Sequence, residues 1–113
     1  VDRVKQALQW FEENLGNNPS IDEVAKVVGV TRGHLRRLFI EAGMNAPKVE
    51  FARLQMAMAQ RCLIAGWKLE QIAAYLGFSE GSALSRSFLS VCRRSPQRWL
   101  AECPERARSG ELK

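Results

Sequence analysis

The feature that most constrains this chain is one short pattern that occurs in it twice. Ala25, Gly29 and Thr31 recur as Ala73, Gly77 and Ser79 at an offset of 48 residues; Leu35, Arg37, Phe39 and Pro47 recur as Leu84, Arg86, Phe88 and Pro96 at an offset of 49. The second copy therefore carries one extra residue where its second helix begins. A repeat of this size reads as one supersecondary unit used twice. In each copy the small alanine lets two helices approach, and the glycine suits a left-handed turn. The Leu and Phe, four residues apart, then pin the second helix against the first.

Such a unit is a helix-turn-helix, whose second helix reads the major groove of DNA. One copy is weakly specific, because helical hairpins are common. Two copies with matching arginines, joined by one long helix, are far more specific. The expected linker helix spans about 30 Å, close to the roughly 34 Å between successive major-groove faces of one duplex. That length suits two recognition helices in successive major grooves.

Periodicity and capping fill in the remaining elements. Val1, Val4, Leu8, Phe11 and Leu15 predict an amphipathic helix, ended by Gly16-Asn17-Asn18-Pro19. Ser20 and Glu23 form a capping box for a second helix that buries Ile21, Val24, Ala25 and Val28. Thr31 caps a third, from about Arg32 to Ala42, with Leu35, Leu38 and Phe39 inside and Arg32, His34, Arg36 and Arg37 on the other face. Asn45 as cap and Pro47 in the first turn start the linker helix, which runs to about Ala65. Its expected stripe is Phe51, Leu54, Met58, Cys62 and either Leu63 or Ala65. A helix over Leu69 to Leu76 buries Leu69, Ile72, Ala73 and Leu76; Ser79 then caps a helix carrying Leu84 and Phe88, and Ser95-Pro96 opens a last one with Trp99 and Leu100. No segment reads as a strand, so an all-α chain is expected. Its expected divisions are a first lobe over 1–44, a linker helix over 45–66, a second lobe over 67–103 and a frayed polar tail over 104–113.

Composition narrows the partner. Seventeen Lys and Arg stand against twelve Asp and Glu, a net +5 with pI near 9.6, which suits an anion. No apolar run approaches the roughly 18 residues of a membrane span, so no membrane partner is expected. Cys62, Cys92 and Cys103 are odd in number and widely spaced, so they make neither a disulfide framework nor a CxxC metal site; Cys62 and Cys92 fall on apolar helical positions and read as small core residues of a reducing compartment, the cytoplasm. His34 stands alone without ligand partners, and no metal is assigned. There is no nucleophile–base constellation and no glycine-rich phosphate loop, so no catalytic residue or cofactor is assigned either. The chain starts without Met or a leader-like segment and is expected to be part of something longer.

The residues Gly77-Phe78-Ser79 through Ser85-Arg86-Ser87-Phe88, then Ser95-Pro96 and Trp99, resemble the AraC/XylS family of bacterial transcription regulators. The first copy joins through Ala25, Gly29, Thr31, Leu35, Arg37, Leu38 and Phe39. The resemblance covers roughly residues 4 to 101. It implies a seven-helix, two-lobed DNA-binding module, acting at promoters as an activator with RNA polymerase as a further partner. Effector sensing and dimerisation would belong to an N-terminal domain outside this stretch. Three positions depart from the family pattern: Asn45-Ala46-Pro47 replaces a serine-proline, Gln55 stands where an arginine is often found, and Arg93 lies where a glycine is common.

The resemblance makes Arg36 and Arg37 base or phosphate contacts, with Gly33 near the groove floor. An arginine can bind guanine O6 and N7 in a bidentate way. The competing reading is a solvated basic face with Glu41 as neighbour; three arginines and His34 within six residues favour DNA. In the second copy Gly81, Ser82, Ala83 and Arg86 are the candidates, a permissive set that discriminates less than the first. Thr31 and Ser79 cap their helices and could also meet phosphates. Glu80 could accept from a cytosine amino group, although helix-dipole stabilisation is the commoner role for such a residue. Lys26, Lys48, Lys68, Arg93, Arg94 and Arg98 are phosphate candidates, although each taken singly reads better as a solvated charge, and Trp10, Trp67 and Trp99 read as packing residues. The rival class is a helical protein-interaction scaffold, which predicts no salt-dependent DNA binding.

Overall fold

The structure is a computed structural model and describes residues 2–103. Val1, expected at the head of the first apolar face, and the expected tail 104–113 lie outside the described residues. The described residues form seven helices and no strand, and the chain divides into two compact units, Val1–Leu54 and Gln55–Lys113.

Local side chains start each helix of the first unit. The Asp2 carboxylate accepts the Lys5 N–H at 3.1 Å to begin α1 (Arg3–Glu13). The capping box of α2 (Ile21–Val27) is complete: Ser20 Oγ accepts from the Glu23 N–H at 3.1 Å, and Glu23 Oε1 accepts from the Ser20 N–H at 3.2 Å. Thr31 Oγ1 accepts the His34 N–H at 3.2 Å to begin α3 (Arg32–Glu41). Between α2 and α3, Gly29 takes φ +78° and the Val30 N–H closes onto the Ala25 carbonyl at 2.9 Å. A side chain at that φ is strained, so the Ala-to-Gly spacing is the turn itself.

Ala7, Phe11, Val24, Ala25, Val28, Leu35 and Phe39 make the first core. Phe11 is fully buried and meets Phe39 and Phe51 edge-on, with ring centroids 6.4 and 5.1 Å away. On α1 the buried positions are Ala7 and Phe11, with Leu15 buried just beyond its end, while Val4 and Leu8 are half-buried. Alanine is a weak apolar marker, so the sequence pattern passed over Ala7.

Helix α4 (Pro47–Ile64) has 18 residues, about 27 Å, and the boundary between the units falls within it. Asn45 does not cap it. The Asn45 backbone and side-chain N–H groups donate to Glu50 Oε2 at 2.8 and 3.1 Å, and the Ala46 carbonyl accepts the first helical bonds from Val49 and Glu50. The buried Glu50 carboxylate is thus supplied with the donors it needs. The single expected stripe also gives way to two. Phe51 and Leu54 pack on the first core, whereas Gln55, Met56, Ala59, Cys62 and Leu63 are buried residues of the second unit; Met58 is half-buried and Ala65 exposed. No one period describes a helix whose halves bury different faces.

The second unit continues with α5 (Leu69–Tyr75), α6 (Gly81–Cys92) and α7 (Pro96–Ala101). Gly77 takes φ +80° and the Phe78 N–H closes onto the Ala73 carbonyl at 2.8 Å, reproducing the turn of the first unit. Ile72, Ala73, Leu76, Leu84 and Phe88 are buried, and Phe88 meets Trp99 of α7 edge-on at 6.0 Å. Gln55 donates from Nε2 to the Leu76 carbonyl at 3.1 Å, satisfying an acceptor just past the end of α5. Arg93 ends α6 at φ +64°, its N–H on the Leu89 carbonyl at 2.9 Å.

A non-glycine residue in the left-handed region costs roughly 1 kcal/mol. Arg93→Gly is therefore expected to stabilise the second unit by about that amount and to raise its melting midpoint by roughly 4–8 °C, measured by circular dichroism. An unchanged or lowered midpoint would show that the Arg93 side chain makes compensating contacts.

Candidate nucleic-acid interface

Leu35 and Phe39 face inward on α3 and are fully buried. At 3.6 residues per turn this leaves Arg32, Gly33, Arg36, Arg37 and Ile40 outside, all exposed, with Thr31 exposed at the cap and His34 half-buried. Arg32 stands 3.9 Å from Asp22, an exposed pair of little strength. Arg36 and Arg37 have no ion pair among the described residues, and Glu41 does not engage them. A Cβ at Gly33 would meet nothing within 4 Å, so packing inside the protein does not require glycine there. Ile21, Arg32, Gly33, Arg36, Ala46, Pro47 and Lys48 line one open hollow. It gathers three cations, one of them from α4, and an anion is its natural occupant. Periodicity within α3 could not group Lys48 with the two arginines, because the hollow depends on where the next helix starts.

Helix α6 repeats the scheme with different chemistry. Leu84 and Phe88 are fully buried, Ser82, Arg86 and Leu89 are exposed, and Ala83 is half-buried. Arg86 has no ion pair among the described residues. The Ser82 hydroxyl donates to a Glu80 carboxylate oxygen, which leaves the Ser82 oxygen as an acceptor.

Two expectations are corrected here. Ser79 is exposed but does not cap α6; Glu80 holds the N-cap position, without a side-chain capping bond. The reason is the extra residue of the second copy, which moves Ser79 one position ahead of the cap. Gly81, expected on the DNA-facing side, is buried instead. Its N–H donates to both carboxylate oxygens of Glu70, each at 3.1 Å, and a Cβ on it would fall 2.5 Å from Glu70 Oε1. A carboxylate from α5 thus serves the first turn of α6, the role expected of Ser79. Nothing in the local sequence around α6 announces this partner eleven residues upstream.

Other charges are partly spent. Arg94 and Arg98 bind Glu102 through Nε at 3.2 and 3.0 Å, so these phosphate candidates are half-neutralised, while Lys26, Lys68 and Arg93 are exposed. Trp99 packs on Phe88, Trp10 is half-buried against Phe11, and Trp67 is exposed and edge-on to Tyr75 at 5.5 Å. Burial pushes the Cys62 thiol above its ordinary value; it does the same to Cys92, against a hydrogen bond from Gln60 that acts the other way. Both thiols are poor nucleophiles as a result. Among the described residues no cluster of His, Cys, Asp and Glu gathers in metal-binding number, and no helix is long and apolar enough to cross a membrane.

Known proteins share this arrangement. A helix-turn-helix domain family matches residues 24–102. A transcriptional regulator from Chromobacterium violaceum, described as containing an AraC-type DNA-binding domain, is 27% identical in its crystal structure, with a TM-score of 0.78 over 93% of this chain and 89% of that one. The C-terminal domain of AraT, a response regulator from Geobacillus stearothermophilus, shares the fold at TM-score 0.77 and 20% identity, over 86% of this chain and 82% of that one. The multiple antibiotic resistance protein MarA of Salmonella typhimurium is 25% identical over 97 residues, 85% of this chain and 76% of MarA. An uncharacterized HTH-type transcriptional regulator of Staphylococcus aureus is 23% identical over 110 residues; the match takes in 91% of this chain but only 14% of that relative's length.

The cap assignments can be checked by urea unfolding. Thr31→Ala is expected to cost about 1 kcal/mol, and Glu70→Ala roughly 1–2 kcal/mol through the unsatisfied Gly81 N–H. Ser79→Ala should stay within about 0.5 kcal/mol. A larger loss for Ser79→Ala than for Glu70→Ala would reverse the assignment.

Proposed function

The chain belongs to the AraC/XylS-type helix-turn-helix family, and from that premise we propose that it binds double-stranded DNA sequence-specifically as part of a transcription regulator. The observation that carries the proposal is the duplicated outward face. Each unit pins its second helix by a buried Leu and Phe four residues apart, and each leaves at the same repeat position an exposed arginine, Arg37 or Arg86, that has no ion pair among the described residues.

In this reading α3 and α6 are recognition helices that each enter a major groove. Arg36 and Arg37 reach base edges, where guanine is the preferred partner. Gly33 lets the helix approach closely, and His34 flanks the contact. Arg32, Lys48 and the exposed first turn at Thr31 hold phosphates and set the register. On α6, Arg86 reads, Ser82 offers an acceptor, Ala83 adds a small apolar contact, and Ser79 lies within reach of the backbone. The faces of α3 and α6 are chemically unlike, so the site they read is asymmetric and need not be palindromic. Activation through RNA polymerase, dimerisation through a further domain and action in the bacterial cytoplasm extend the same reading. It assigns the chain no catalytic step and no cofactor.

Selection from a random duplex pool tests it. Enrichment of a two-part motif, with affinity that falls steeply as salt rises, is expected. Arg36→Ala and Arg86→Ala should each relax preference at a different part of the motif, by roughly 1–3 kcal/mol at the base each one reads. No enriched motif would overturn the function; a motif indifferent to both substitutions would overturn the residue roles.

A further inference from the structure

Ile40 on α3 and Leu89 on α6 are related by the 49-residue offset of the repeat, and each is 53% exposed. Each follows the shared arginine, Arg37 or Arg86, by three residues, and follows the small residue of its helix, Gly33 or Ser82, by seven. Seven residues are nearly two whole helical turns, so both apolar side chains stand within about 20° of the line through Gly33 or Ser82. They occupy the middle of the outward face, between the directions of Arg36 and Arg37 on α3 and of Ser85 and Arg86 on α6. Neither can help the core, because Leu35 and Phe39, and Leu84 and Phe88, fill the opposite side.

A single exposed leucine means little. The same exposure at equivalent positions of two recognition faces, each beside an arginine, is a different matter. If those arginines reach base edges, the side chain one turn further along lies inside the groove and loses its water. The apolar feature that the base edges offer in the major groove is the 5-methyl group of thymine. Against an amino or carbonyl edge, a branched aliphatic group would leave a polar atom desolvated and unpaired.

We infer that Ile40 and Leu89 are specificity-determining residues, each contacting a thymine methyl group, one in each half of the bound site. The inference rests on the proposed DNA-binding function. It adds thymine recognition to a face whose other contacts favour guanine or phosphate. Val27 is equally exposed, at 55%, but belongs to α2 and lies off this face, so Val27→Ala serves as a control. All three side chains project into solvent, and their replacement by alanine leaves both cores intact.

The test takes the duplex selected by the wild-type chain and replaces each fixed thymine, one at a time, with deoxyuridine, which removes only the methyl group. Affinity is measured at constant salt. Losing one buried methyl contact is expected to weaken wild-type binding about fourfold, at one position in the part that Arg36→Ala relaxes and one in the part that Arg86→Ala relaxes. Ile40→Ala should abolish the first uracil effect and Leu89→Ala the second, while Val27→Ala retains both. A motif with no fixed thymine, a wild-type chain indifferent to uracil, or uracil effects that survive both alanine substitutions would each overturn the inference. In all three results the arginine-dependent motif would remain, so the proposed function would stand; absence of any motif would remove both.

Discussion

One backbone hydrogen bond, made twice, decides what each unit shows to solvent. The residue after a left-handed glycine donates back to an alanine carbonyl, Val30 to Ala25 and Phe78 to Ala73, at 2.9 and 2.8 Å. The bond itself contributes only about 1 kcal/mol. Its larger effect is directional. It fixes the path of the chain into α3 and α6, so that Leu35 with Phe39, and Leu84 with Phe88, turn inward. Burying each such side chain is worth roughly 1.5–3 kcal/mol. With those pairs committed, the outer face follows from the helical period, and the arginines three and two residues before the next turn of buried positions have nowhere to go but outward.

The two units solve the start of the second helix differently. In the first, Thr31 caps α3 from the adjacent position. In the second, one inserted residue displaces Ser79, and a carboxylate from α5 takes over through the Gly81 N–H. Glycine near the start of a helix costs propensity. A Cβ at Gly81 would fall 2.5 Å from Glu70 Oε1, so a side chain there would displace the carboxylate that serves this turn. The first turn of α6 is thereby tied to α5 by a tertiary contact, where α3 relies on its own sequence neighbour.

Much of this was legible in the residues. The Ser20, Thr31 and Ser95 caps and the Leu–Phe pairs follow from local chemistry over three or four residues, and the glycine turns from a five-residue spacing that the chain repeats. What escaped follows no repeated or capping spacing. Glu70 reaches Gly81, Glu50 reaches back to Asn45, and Gln55 reaches the Leu76 carbonyl. None of these pairs lies within one helix, and each polar residue reads as an ordinary surface position until its partner is placed. Helix α4 failed for a related reason. Phe51 and Leu54 bury one face and Met56 and Ala59 another, so summing over the helix blurs both. Of the candidate site residues, the exposed arginines were legible because exposure follows from the period. Gly81 was misplaced because an insertion shifts cap and face together.

The charges then distribute unequally. On the face of α3, Arg36 and Arg37 have no ion pair among the described residues and the hollow includes Lys48, while in the second unit Arg94 and Arg98 close onto Glu102, and Glu80 holds a carboxylate beside Ser82. Arg32, Arg36 and Lys48 thus gather around one hollow of the first unit, whereas α6 presents Arg86 with Ser82 and Ala83. On the proposed reading this inequality matters for specificity. Two identical faces could exchange halves of the site with little penalty. Two unlike faces on one chain make the two orientations unequal, because the places that meet Gly33 and Arg36 in one orientation meet Ser82 and Ser85 in the other. Unpaired contacts in the wrong orientation discriminate as surely as good contacts in the right one, so the unlike faces give direction to a site that two matched arginines alone would leave ambiguous.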